Sequence, residues 1–179
     1  VVHQHGPNGE HSHTGLATHV WLNPELAMHQ AKSICDTLIL KQPAHAEDFQ
    51  SNFDAFELKM KSLDDRLELL VRDVLVLASH PVYEYLADRC EWTLHSVVWE
   101  PDVAPSAAEW KKLAALAKST SANWMLWEEE PLPETRAKLT KLGITIVVFH
   151  PCGRTESAGY FEKMDANISQ LENFLRAAK

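Results

Sequence analysis

VLVLASHP, residues 74–81, is an apolar run that stops at a serine, a histidine and a proline. A run this short, with β-branched valines and turn residues behind it, reads as a buried strand rather than a helix. Three further runs follow: Leu94–Trp99, Trp124–Trp127 and Ile144–Phe149. Helical grammar separates them. A helix is expected to begin near Pro81, and Ser106-Ala-Ala-Glu109 makes a capping box ahead of Trp110, Leu113 and Ala117. Pro133 to Leu142 reads as a helix closed by Gly143, and Phe161, Met164, Ile168, Leu171 and Leu175 lie along one face of the last. Strand and helix alternating four times, with strands apolar on both faces, predicts an α/β unit: a four-stranded parallel sheet with helices on both faces.

Upstream the pattern is helical. Asn23-Pro24-Glu25 supplies a cap, a first-position proline and a first-turn carboxylate. Ala27, Ala31, Ile34 and Leu38 follow at helical spacing, and Lys41-Gln42-Pro43 ends the element. Phe49, Phe53, Phe56, Met60, Leu63, Leu67 and Leu70 then alternate steps of four and three. Their seam predicts a long helix from about His45 to Arg72, on the order of 40 Å at 1.5 Å per residue. A coiled-coil seam is the alternative; fewer than four complete heptads and no e/g charge code count against it. Residues 1–17, rich in His and Gly and without periodicity, read as a mobile loop.

The 179 residues suffice for one domain with a real core, or one domain and part of another. A hydrophobic share of 45% and a charged share of 23% are those of an ordinary globular protein. A formal charge of -8 without a Lys/Arg cluster argues against nucleic acid and anionic membrane surfaces as partners. No apolar run approaches the ~20 residues that span a bilayer. There is no start methionine, no leader and no Ala-x-Ala site, so the chain is expected to begin inside a longer precursor. Cys35, Cys90 and Cys152 form no Cys-x-x-Cys pair. They allow at most one disulfide, for which Cys90–Cys152 is the pairing considered.

The histidines carry the chemistry. His80 follows the first strand directly and His150 the fourth, each with a proline after it. Ligands of open parallel sheets bind at the carboxyl ends of the strands, so loops at that edge can bring the two together across seventy residues of sequence. A third, His19, stands in Thr18-His-Val-Trp-Leu-Asn23, just before a helix start. Neutral imidazole suits zinc and several other transition metals. A histidine at a strand end can equally be a hydrogen-bonded loop residue, and the residues alone leave both readings open. His29, His45 and His95 lack such a context and read as ordinary surface or interior residues. His3, His5, His11 and His13 lie in unpatterned sequence, where one fixed geometry would cost a large ordering entropy; they read as a flexible, low-affinity zinc collector or a sensor of zinc abundance, with an inert spacer or a tag as the alternative, a tag being disfavoured by the irregular spacing.

The order of these pieces resembles the metal-specific substrate-binding proteins of bacterial ABC importers for zinc and manganese, the ZnuA-like group. Thr18-His-Val-Trp-Leu-Asn-Pro24 looks like that family's Asp-Pro-His-x-Trp-Leu-Asp-Pro, and Ser79-His-Pro-Val-Tyr-Glu-Tyr-Leu86 like its His-Asp-Ala-Phe/Tyr-x-Tyr. Glu100-Pro-Asp-Val-Ala-Pro-Ser106 is similar to its Pro-Glu-x-x-Pro-Ser loop, and Trp127-Glu-Glu-Glu-Pro-Leu-Pro133 to its Glu-Pro segment. Phe149-His-Pro-Cys-Gly153 is similar to its Asp-Pro-Leu-Gly turn. Tyr160-Phe-Glu-Lys-Met164 with Asn167 matches its Tyr-x-x-x-Met-x-x-Asn.

The resemblance implies a two-lobed receptor with metal clamped between lobes. Residues 1–17 would be the His-rich loop, 18–43 the end of a first lobe, 44–73 the connecting helix and 74–179 the C-terminal metal-binding lobe. The family's ligands carry over to His19, His80 and His150. The rest of the first lobe, with a further ligand histidine, has no counterpart here, so the Asn23–Lys41 helix is expected to expose apolar surface and to self-associate or be partly disordered. His150 stands where the family usually has Asp, Ala17-Thr18 replace Asp-Pro, and Glu129 replaces a common proline. An all-nitrogen site favours zinc over manganese. The implied function is zinc capture outside the cytoplasmic membrane, in the periplasm or an equivalent extracytoplasmic space, and delivery to an ABC permease, with no chemistry done. Surface adhesion, a role often attached to the family, is a weaker reading. The rival of another class is a zinc hydrolase built on the same histidines, with Glu128 or Glu156 as general base; the chain has no His-Glu-x-x-His, nucleophile elbow or phosphate loop to support it.

Overall fold

A computed structural model describes residues 2–4, 10–12, 17–153 and 159–177. The expected loop at the start contains a short antiparallel ladder of β1 (Val2–Gln4) and β2 (Glu10–Ser12), with His3 opposite His11. His5 and His13 lie outside the described residues. A single 3₁₀ turn over Val20–Leu22 leads into α1 (Pro24–Lys41), whose Asn23 cap accepts from the Glu25 and Leu26 amides at 3.0 and 3.3 Å. This is the start that Asn-Pro-Glu predicts.

The long helix forms as α2 (Ala46–Glu68), shorter than expected at both ends. Pro43–His45 makes a separate 3₁₀ turn, and Leu69–Leu70 turn away toward the sheet. Its 23 residues span about 34 Å at 1.5 Å each. The apolar seam serves two neighbours. Phe49, Phe53 and Phe56 are half-buried, while Met60, Leu63, Leu67 and Leu70 belong to the main core. Fully burying a side chain such as Leu67 contributes roughly 1.5–3 kcal/mol, so the second half of the helix is held hardest.

The remaining elements are β3 (Val74–Ala78), α3 (Glu84–Arg89), β4 (Trp92–Ser96), α4 (Ala107–Thr120), β5 (Trp124–Trp127), α5 (Pro133–Lys141), β6 (Thr145–Val148) and α6 (Tyr160–Ala177). The four strands form one parallel sheet in the order β4-β3-β5-β6. Val76, Ala78 and Leu126 turn to one face, under α2, α3 and α6; Leu77, Met125 and Trp127 turn to the other, under α4 and α5. Helices cover both faces, as the alternating pattern requires. The Ser106–Glu109 capping box is formed, and Gly143 closes α5 at φ +76°.

Other boundaries move as well, the fourth strand keeping only Thr145–Val148 of Ile144–Phe149. The helix expected near Pro81 begins at Glu84, because Pro81–Tyr83 make a turn after the strand. The second strand is Trp92–Ser96 rather than Leu94–Trp99: its register is set by β3, opposite which Val74 meets Trp92 and Ala78 meets Ser96. Cys90 and Cys152 form no disulfide; all three cysteines are free thiols. Burial pushes the Cys90 thiol up to about 12 and that of Cys152 up to about 11. On α1, Ile34 and Leu40 are 62% and 82% exposed, the apolar surface expected there. Among the described residues no helix is long and apolar enough to cross a membrane.

Candidate metal centre

Each strand of the sheet delivers one polar side chain to its carboxyl end. His80 follows β3, Glu128 follows β5, and Glu100 and His150 lie just past β4 and β6. In spatial order they run Glu100, His80, Glu128, His150. Backbone hydrogen bonds carry the ladder beyond the strands and fix this edge. The Ser79 amide donates to Leu126 at 2.9 Å, the Trp99 amide to Ser79 at 2.8 Å and the Phe149 amide to Trp127 at 2.8 Å. His80 is buried at 5% exposure. Its Nδ1 lies 3.6 Å from Oε1 of Glu128 and its Nε2 lies 3.8 Å from Oε1 of Glu100.

The His150 turn is clamped from below and from the side. Asn167, fully buried on α6, accepts from the His150 amide at 3.0 Å and donates to its carbonyl at 2.8 Å. The Tyr83 hydroxyl donates to the Phe149 carbonyl at 2.7 Å. Across the cavity, the Trp21 indole donates to the Pro151 carbonyl at 2.7 Å, and the Tyr160 hydroxyl donates to the Trp21 carbonyl at 2.6 Å. The first of these bonds pins the short turn that carries His19 to the His150 turn, although 131 residues separate the two histidines, and the second pins it to the start of α6. The His19 ring packs on Trp21 at 5.1 Å between centroids. Burial, and after it the nearness of His80, holds the His19 imidazole below the ordinary histidine range. Both effects favour the neutral form, the one that offers a lone pair.

His19 and His150 line one open cavity of about 470 Å³, together with Glu100, Asp102, Glu128 and Glu129. Lys163 reaches its wall, as does Cys152, whose Sγ is turned to the His150 carbonyl at 3.4 Å. The structure thus brings His19 and His150 to a common space and sets His80 behind it, flanked by the two glutamates that reach both. Among the described residues, no three His, Cys, Asp or Glu side chains converge closely enough to hold a metal ion as they stand. Imidazole nitrogens and carboxylate oxygens are nonetheless a donor set that suits a borderline divalent cation. Glu100 and Asp102 were not expected in this site, though the strand-end rule that singles out His80 and His150 applies equally to the residue after the second apolar run. Glu128 is in the site; Glu156 lies outside the described residues. His29 and His45 are exposed, and His95 is half-buried on β4.

Residues 1–174 match the family described as "Zinc-uptake complex component A periplasmic". The chain belongs to this family. Relatives include the zinc-binding lipoprotein AdcA of Streptococcus pneumoniae, 28% identical over 183 aligned positions that cover 95% of this chain and 36% of that protein. The high-affinity zinc uptake system protein ZnuA of Bacillus subtilis is 26% identical over 88% of this chain and 53% of its own length. The chain therefore spans between about a third and about half of the curated relatives it matches. Among solved structures, the Zn(II)-bound ZnuA-like domain of S. pneumoniae AdcA superposes with a TM-score of 0.76 at 25% identity, over 88% of this chain and 63% of that one. A Mn2+ complex of FpvC from Pseudomonas aeruginosa, at 18% identity, shares the fold with a TM-score of 0.73.

Proposed function

We propose that this member of the zinc-uptake family captures zinc outside the cytoplasmic membrane and delivers it to an ABC permease, with His19, His80 and His150 as the histidine ligands. The observation that carries the reading is the common cavity of His19 and His150, held by Trp21 and Tyr160, with His80 at the same sheet edge. The expected all-nitrogen site is lined by carboxylates as well; zinc is the preferred cargo and manganese the weaker one, because the three histidines in the ligand set favour the softer ion. His3, His5, His11 and His13 form a low-affinity collector that raises the local zinc concentration. By the same family logic, 18–43 closes a first lobe, 44–73 connects the lobes and 74–179 is the lobe that carries His80 and His150. Of the two carboxylates the hydrolase reading would use as general base, Glu128 faces His80, and Glu156 lies outside the described residues.

A zinc titration against a competing chelator tests this. The measurement uses the whole chain, its His80→Ala variant, and a variant with His3, His5, His11 and His13 all replaced by Ala. The expected result is one tight site that survives loss of the four loop histidines and weakens by at least about tenfold without His80. Weak binding that follows the loop histidines alone would overturn the assignment.

A further inference from the structure

We infer that Glu128 is the positioning residue for His80: its carboxylate holds the Nδ1–H of the imidazole and leaves Nε2 as the lone-pair nitrogen for the metal. The inference rests on the zinc-capture reading and names what sets the strength of that ligand. A neutral imidazole has one N–H and one lone pair, and only the lone pair binds a metal. A carboxylate accepts hydrogen bonds and donates none, so it stabilises whichever nitrogen carries the proton. His80 has a carboxylate beside each nitrogen, and the two are not equivalent. Glu128 makes the closer approach, 3.6 Å to Nδ1, a small closing motion from a hydrogen bond, and its side chain is 25% exposed. Glu100 lies 3.8 Å from Nε2 and is 39% exposed.

The fold also seats Glu128 firmly. It follows Trp127, which is fully buried and packs on Trp99 at 6.3 Å between centroids. The Phe149 amide donates to the Trp127 carbonyl, so the peptide leading into Glu128 is fixed by the neighbouring strand. Strand order places Glu128 between the two histidine-bearing strands, and it lines the cavity that His19 and His150 share. A carboxylate that orients a metal-bound histidine in this way is typically worth 10–100-fold in metal affinity.

The test compares zinc affinity, by chelator competition, in the wild-type chain and its Glu128→Ala and Glu128→Gln variants. Long-range 1H–15N correlation on the zinc-loaded wild type reads which His80 nitrogen carries the proton. The expected results are a 10–100-fold loss in Glu128→Ala, recovery of most of it in Glu128→Gln, whose amide oxygen still accepts from Nδ1–H, and a proton on Nδ1. Equal losses in both variants would make Glu128 a ligand and overturn the positioning role. So would Glu128→Ala binding like the wild type, or a zinc-bound Nδ1. Should the alanine variant not fold, the glutamine variant and the proton position decide alone. A wild-type chain without a His80-dependent site would instead sink the capture reading.

Discussion

Asn167 has no solvent exposure, and its amide satisfies both backbone groups of His150. Leucine keeps the branched shape at a somewhat larger volume and strands a part-buried N–H and a part-buried carbonyl of His150, each costing about 1 kcal/mol, the low end for an unmade bond because water reaches the turn. Asn167→Leu is expected to lose on the order of 2 kcal/mol in urea unfolding and to weaken zinc binding with it. An unchanged midpoint would mean the turn is held by something else. Of the site's residues, His80 and His150 were legible because strand-end position can be read from sequence. Asn167 came only through the family pattern, since nothing local says what an asparagine in a helix will face. The partners of His80 were not legible. Along the chain the strand-end residues run His80, Glu100, Glu128, His150, but β3 sits inside β4 in the sheet, and that exchange alone places His80 between two carboxylates.

Among the elements, α2 and α6 are joined by an ionic clamp as well as by core packing. Arg66 donates to both oxygens of Glu172 at 2.8 and 3.0 Å, to Asp165 at 2.5 Å and to the Ser169 hydroxyl at 2.9 Å. The hydrogen bond from Arg66 holds the Glu172 carboxyl below its ordinary value. A depressed carboxylate stabilises the fold above its unfolded value, about 4.3, and that contribution is lost as pH falls through the lower folded value. Glu172→Gln is expected to cost about 1 kcal/mol or less at pH 7, since the pair is near the surface, and the gap to wild type should close below about pH 4. Thermal unfolding across that range checks it, and a gap that persists in acid would assign the loss to packing. The seam of α2 was readable from its period. Its division was not, because whether a phenylalanine meets α1 or the main core depends on where the neighbouring elements end.

For the whole molecule, the decisive contact joins the segment before α1 to the sheet edge. His19 stands 131 residues from His150; a hydrogen bond from Trp21 to Pro151 holds their turns together, and one from Tyr160 to Trp21 ties the His19 turn to the start of α6. Burial keeps the Tyr160 phenol neutral far above physiological pH, so it remains a donor. Tyr160→Phe removes the hydroxyl and keeps the ring, which packs edge-on against Phe161 at 5.4 Å. One net hydrogen bond is about 0.5–1.5 kcal/mol, so the global unfolding free energy should fall by no more than that. Zinc affinity should fall more visibly, because a turn freed to open spends part of its time without His19 in place, and binding weakens by the fraction lost. Amide hydrogen exchange separates the two effects: in Tyr160→Phe, protection should drop at Leu22 and Asn23, whose amides bond back to His19 and Val20, while β3 and β5 keep theirs. Loss of protection throughout the sheet would show that the tie supports the fold as a whole. Loss confined to the turn, with weaker zinc binding, would show that its work is to hold His19 against the sheet edge.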